Sequence, residues 1–83
     1  MSRRMKLYAK IRQNPKDVRY EELKTLLELC GYSLRQTSGG SHRWFVKPGC
    51  EPIHFPEHHP VGEVYVKKAL KVLEDNGSLD DDS

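Results

Sequence analysis

The stretch Ser38-Gly39-Gly40-Ser41-His42-Arg43-Trp44-Phe45 decides how this chain folds. Glycine takes positive φ without steric cost, so a Gly-Gly pair between two alternating runs closes a tight turn between antiparallel strands. Working outward, the flanking runs become strands at about Tyr32 to Thr37 and His42 to Lys47, and Pro48-Gly49-Cys50 turns the chain into a third at about Glu51 to Phe55. Both joints are short enough for a meander. The regions outside it are helical. Leu23, Leu26, Leu27 and Cys30 fall at i, i+3, i+4 and i+7, which predicts a helix over about residues 20 to 30, with Gly31 just past its end. Pro56 and Pro60 bracket the irregular segment Glu57-His58-His59. After it, Val66, Ala69, Leu70 and Leu73 carry a helix from about Val61 to Asn76 that Gly77 stops. Upstream, Ser2 caps a helix over residues 3 to 12 with Met5, Leu7, Tyr8 and Ile11 on its apolar side, and Asn14-Pro15 ends it. The fold class is α+β: a three-stranded antiparallel sheet with helices packed on one face, in the order α-α-β-β-β-α.

Eighty-three residues make one domain whose single core supplies only a few kcal/mol of net stability, which argues against a large active-site cavity. The domain covers residues 1–77, with 1–19 a basic helical extension and 20–77 the core, and the aspartate-rich segment 78–83 reads as a disordered acidic tail. Cys30 and Cys50 form no Cys-x-x-Cys pair, and no secretory signal or bilayer-spanning run is visible, so the expectation is a reduced, cytoplasmic protein with no membrane association. Charge is unevenly placed. Residues 1–50 carry eleven Lys or Arg against four Asp or Glu, whereas residues 51–83 carry three against eight. The basic half is the candidate anion-facing surface, and charge alone leaves two readings of it: a face for a nucleic-acid partner or a merely solvated helical face.

His42, directly after the glycine turn and at the head of an aromatic strand, is the residue with the clearest capacity for chemistry, and spacing alone leaves it either in that role or as a turn histidine that hydrogen-bonds the backbone. RNA carries its own nucleophile in the 2′-hydroxyl, so a nuclease need only remove that proton, stabilise the phosphorane charge and help the 5′-oxygen leave. An imidazole, which ordinarily titrates near pH ~6.5, can both take and return a proton at physiological pH. Arg35 on the preceding strand and Arg43 and Lys47 on the following one are candidate phosphate contacts. Gly40 would let a phosphate approach backbone amides, and the Ser41 hydroxyl is either a phosphate contact or a turn hydrogen bond. Alternation places His42, Trp44 and Val46 on one strand face and Arg43, Phe45 and Lys47 on the other. Two arrangements follow. Either Phe45 packs under the helices and Trp44 stands beside His42 as a stacking platform for a base, or Trp44 and Val46 are core and Phe45 is exposed; the first is preferred.

The run Gly40-Ser41-His42 followed by Phe45, then Ile53-His54-Phe55-Pro56 and a closing helix, resembles the HicA toxins of bacterial HicA/HicB toxin-antitoxin systems. The resemblance spans about residues 20 to 77. It implies a fold like the double-stranded-RNA-binding domain, and a metal-independent endoribonuclease that cleaves mRNA and is silenced by its antitoxin HicB. It also implies that His42 is catalytic. The chain departs from the family pattern in its basic first helix, in its acidic tail, and in Arg43, which stands where many members have a second histidine.

Cys50, His54, His58 and His59 offer metal-ligand atom types within ten residues, but closed sites usually pair ligands at tighter spacing from two elements. No metal and no cofactor are expected. His58 and His59 are either a solvated loop pair ahead of the last helix or, since the segment after the third strand can fold back near the hairpin, helper acids or phosphate contacts. Three functions then stand side by side: a histidine-dependent endoribonuclease, a non-catalytic RNA-binding module on the same fold, and a protein-interaction subunit.

Overall fold

The computed structural model describes residues 2–35, 40 and 42–79, so residues 36–37 at the end of the first predicted strand and 38, 39 and 41 of the predicted hairpin turn, Ser41 among them, lie outside the described residues. The chain forms α1 (Arg3–Gln13), α2 (Tyr20–Leu29), β1 (Ser33–Arg35), β2 (His42–Val46), β3 (Ile53–Pro56) and α3 (Glu63–Asp75). This is the α-α-β-β-β-α order expected from the sequence. The strands pair antiparallel in the order β1-β2-β3, with Leu34 opposite Phe45, Arg35 opposite Trp44, and Trp44 in turn opposite His54.

Alternation along β2 and β3 decides which face the helices cover. Phe45, Ile53 and Phe55 are buried, while His42, Trp44 and His54 are exposed, so the first of the two predicted arrangements is the one adopted. The Phe45 and Phe55 rings stack with centroids 4.9 Å apart and planes only 7° from parallel, at the centre of a core completed by Leu23, Leu26 and Leu27 of α2 and Val66, Ala69 and Leu73 of α3. Burying aromatic and aliphatic side chains of this size is the main stabilising contribution available to so small a chain.

The first helix is built into that core. Ser2 caps it by accepting a hydrogen bond from the Met5 N–H at 3.2 Å, and Ile11 is fully buried. Two polar ties hold its outer side: Lys10 pairs with Glu22 of α2 at 2.7 Å, and the Tyr8 hydroxyl donates to Glu74 of α3 at 2.6 Å. Glu22 also accepts from the Arg19 N–H, satisfying one of the amides at the start of α2.

A polar network closes the end of the molecule remote from His42. After α2, Gly31 takes φ 95°, and the N–H groups of Gly31 and Tyr32 bond back to Glu28 and Leu27, a Schellman closure. The same hydrogen-bond pattern ends α3, where Gly77 and Ser78 bond to Glu74 and Leu73. The Lys47 ammonium donates to the Cys30 carbonyl at 2.8 Å and to the Ser78 hydroxyl at 3.1 Å, placing a cation at the negative end of the α2 dipole. Tyr32 donates to the Glu51 carbonyl and accepts from Asn76. The tail predicted to begin at residue 78 therefore differs at its start: Ser78 is 5% exposed and Leu79 packs on the core, because the closure of α3 needs the Ser78 amide. Residues 80–83 lie outside the described residues.

Candidate active site

The open face of the sheet carries one row of side chains that the strand register makes neighbours. Residues directly opposite one another in an antiparallel pair share a face, so Arg35, Trp44 and His54 stand side by side across β1, β2 and β3. The Trp44 and His54 rings are in contact, their centroids 4.4 Å apart and their planes at 31°. His42, two residues before Trp44 on the same face, has its ring centroid 5.7 Å from that of His54. The predicted catalytic histidine is thus exposed and belongs to a cluster of rings.

Tyr65 of α3 completes the cluster. Its ring stands edge-on to both imidazoles, 5.8 Å from His42 and 6.1 Å from His54. Val66, Ala69, Leu70 and Leu73 form the buried stripe of α3, and Tyr65, Lys68 and Val72 run along the flank of that stripe at i, i+3 and i+7, which turns them toward the edge strand β3. A groove of about 390 Å³ lies between β3 and α3, with His54 and Tyr65 at one end and Lys68 and Lys71 among its walls. At the start of α3, Gly62 has φ 116°, and a Cβ placed there would come within 3.3 Å of the Tyr65 ring. Glycine at this position lets the ring seat against the backbone.

The other predicted site residues are distributed differently. Gly40 is exposed with φ 76°, and its carbonyl accepts from Arg43 at 2.8 Å. Arg43 lies on the helix-facing side of β2, where its Nε is 3.0 Å from Glu57, so its guanidinium braces the turn and the segment after β3 rather than joining His42. Lys47 is held in the network at the far end of β2. His58 bonds through Nδ1 to the Pro60 carbonyl at 2.8 Å, and the His59 Nε2 lies 3.6 Å from Asp17 in the α1–α2 connection. These contacts direct both rings to the loop itself and to the helical side. Of the predicted residues, the open face collects His42, Trp44 and Arg35. It adds His54, which sequence alternation places in solvent without assigning it a role, and Tyr65, for which the only sequence signal is an aromatic just off the apolar stripe of its helix.

Among the described residues no three His, Cys, Asp or Glu side chains are grouped so as to hold a metal ion, and no helix is long and apolar enough to cross a membrane. No family model matches the chain, and neither a curated protein nor a solved structure matches it significantly.

Proposed function

We propose that this protein is an endoribonuclease that cleaves mRNA without a metal, with His42 as its general base, and that it serves as the toxin of a HicA/HicB-like pair. The observation that carries the reading is the placement of His42: an exposed imidazole on an open, ring-lined sheet face, in contact range of His54 and Tyr65, on the strand that also presents Trp44 and with Arg35 on the neighbouring β1. The resemblance of Gly40-Ser41-His42, Phe45 and Ile53-His54-Phe55-Pro56 to HicA toxins supports the substrate, a HicB-like protein as partner, and a cytoplasmic site of action.

In this mechanism a base of the RNA stacks on Trp44 and a phosphate is drawn to Arg35, which brings a ribose 2′-hydroxyl to His42. His42 takes the hydroxyl proton, the oxygen attacks phosphorus, and the bond to the 5′-oxygen breaks to leave a 2′,3′-cyclic phosphate and a 5′-hydroxyl. A HicB-like chain silences the enzyme by covering this face, and acidic residues on it would suit Arg35.

The test is cleavage of a long single-stranded RNA in EDTA by the wild-type protein and by His42→Ala, with the fold of each verified by circular dichroism. Fragments ending in cyclic phosphate are expected from the wild type alone. RNA left intact but bound by both proteins would replace the nuclease with an RNA-binding module.

A further inference from the structure

We propose that His54 is a second catalytic residue of this site, the general acid that delivers a proton to the departing 5′-oxygen; the inference rests on the endoribonuclease reading above. A single imidazole must take a proton from the 2′-oxygen and afterwards find one for the leaving group, whereas two imidazoles on either side of one phosphate do both in the same step. The geometry provides the second ring. His54 projects from β3 onto the face that carries His42, with ring centroids 5.7 Å apart. A phosphate accepting one hydrogen bond from each ring, at about 2.8 Å, spans such a gap.

The surroundings hold His54 at that post. On one side its ring lies against Trp44 at 4.4 Å, and on another it meets the edge of Tyr65 at 6.1 Å, which itself touches His42 at 5.8 Å. Tyr65 therefore stands edge-on to both imidazoles on one flank of the pair. His54 also opens onto the β3–α3 groove, where Lys68 and Lys71 supply the positive charge that a leaving RNA strand would follow, with Glu51 as the acidic group of the same groove. Among the described residues, His42, Lys68, Glu51 and Lys71, the last paired with Asp75 at 3.6 Å, together with the Tyr65 hydroxyl and Arg35 across the row, are the titratable and charged groups around it.

The step balances without a co-reactant. The 2′-oxygen loses its proton to His42 as the new P–O bond forms, the P–O5′ bond breaks, and the 5′-oxygen takes a proton from His54. The pair ends with its protonation states exchanged and resets through solvent.

The experiment compares His54→Ala, His54→Phe and His42→Ala, each confirmed folded by circular dichroism, on an RNA with an ordinary 5′-oxygen at the cleaved bond and on one with sulfur in that place. Sulfur leaves as a thiolate and needs no proton. Both His54 variants are expected to cleave the oxygen substrate about 10²–10⁴-fold more slowly than the wild type, and to recover on the sulfur substrate, while His42→Ala remains impaired on both. His54→Phe preserves a ring against Trp44, so wild-type cleavage by that variant would make His54 a stacking element and overturn the proposal. Equal deficits of the His54 variants on the two substrates would overturn it too. Absence of any His42-dependent cleavage would overturn the nuclease reading and this inference with it.

Discussion

The Trp44 indole lies against the His54 imidazole across the β2–β3 pair, their ring centroids 4.4 Å apart, and 39% of Trp44 remains exposed. The contact orients the indole and leaves surface on which an unpaired base can stack. Trp44 is the single tryptophan of the chain, so its fluorescence reports directly on this face. Single-stranded RNA is expected to change that emission. Trp44→Ala should weaken RNA affinity by about 1–3 kcal/mol, roughly 5- to 150-fold, and Trp44→Phe should retain most of it. Unchanged affinity for Trp44→Ala, read by anisotropy of a labelled oligonucleotide, would remove the stacking role.

Much of this arrangement is legible in the sequence because period-2 alternation is a local property. Once Phe45 is assigned to the core, His42 and Trp44 must share the opposite face, and Ile53 and Phe55 leave His54 there as well. Alternation does not give register, which is what sets Arg35 and His54 on either side of Trp44. Tyr65 is harder still to foresee, since its place depends on how α3 lies along β3. Arg43 and Lys47 show the converse: a basic residue near a candidate site has no signature separating a phosphate contact from a structural tie, and here Glu57 in one case and the Cys30 carbonyl in the other engage the cation.

Lys47 and Arg35 should consequently respond differently to one experiment. Lys47 joins the ends of α2 and α3 through Cys30 and Ser78, so Lys47→Met, which keeps an apolar stem, is expected to cost about 1–3 kcal/mol in urea denaturation. The salt dependence of its RNA binding should match the wild type. Arg35→Ala should leave stability within about 0.5 kcal/mol and lower the slope of log affinity against log salt by about 0.7, the loss of one phosphate contact to a single strand. A reduced slope for Lys47→Met would place its ammonium on the RNA.

The α1–α2 tie predicts an acid-sensitive part of the stability. The Lys10 ammonium bonded to Glu22 holds that carboxyl below its ordinary range, with the Arg19 N–H acting in the same direction. A depressed folded-state value means that the ionised form is the one stabilised. The contribution is present above the unfolded carboxyl value of about 4.3 and is lost as pH falls through the lower folded value. Glu22→Gln should therefore lower stability by roughly 1 kcal/mol at pH ~7, with the difference from wild type vanishing at low pH. Urea midpoints of the two proteins across the acid range provide the check, and a gap that persists below the folded carboxyl value would assign the effect to packing.

Adjacent positions on β3 offer the sharpest contrast between stability and activity. Phe55 is completely buried, stacked on Phe45 and tilted against Tyr20 at 5.7 Å, whereas His54 next to it faces solvent. Phe55→Ala removes the whole aromatic ring from the centre of the core and is expected to cost about 3–5 kcal/mol, a large share of the roughly 5–15 kcal/mol that small domains possess. His54→Ala takes away an exposed ring and should change the stability by no more than about 0.5 kcal/mol, while cleavage is expected to fall sharply. Thermal and urea unfolding of both variants, set beside their RNA cleavage rates, would distinguish the two faces of the strand. A His54→Ala protein as unstable as Phe55→Ala would mean that the ring cluster on the open face is part of what holds the sheet together.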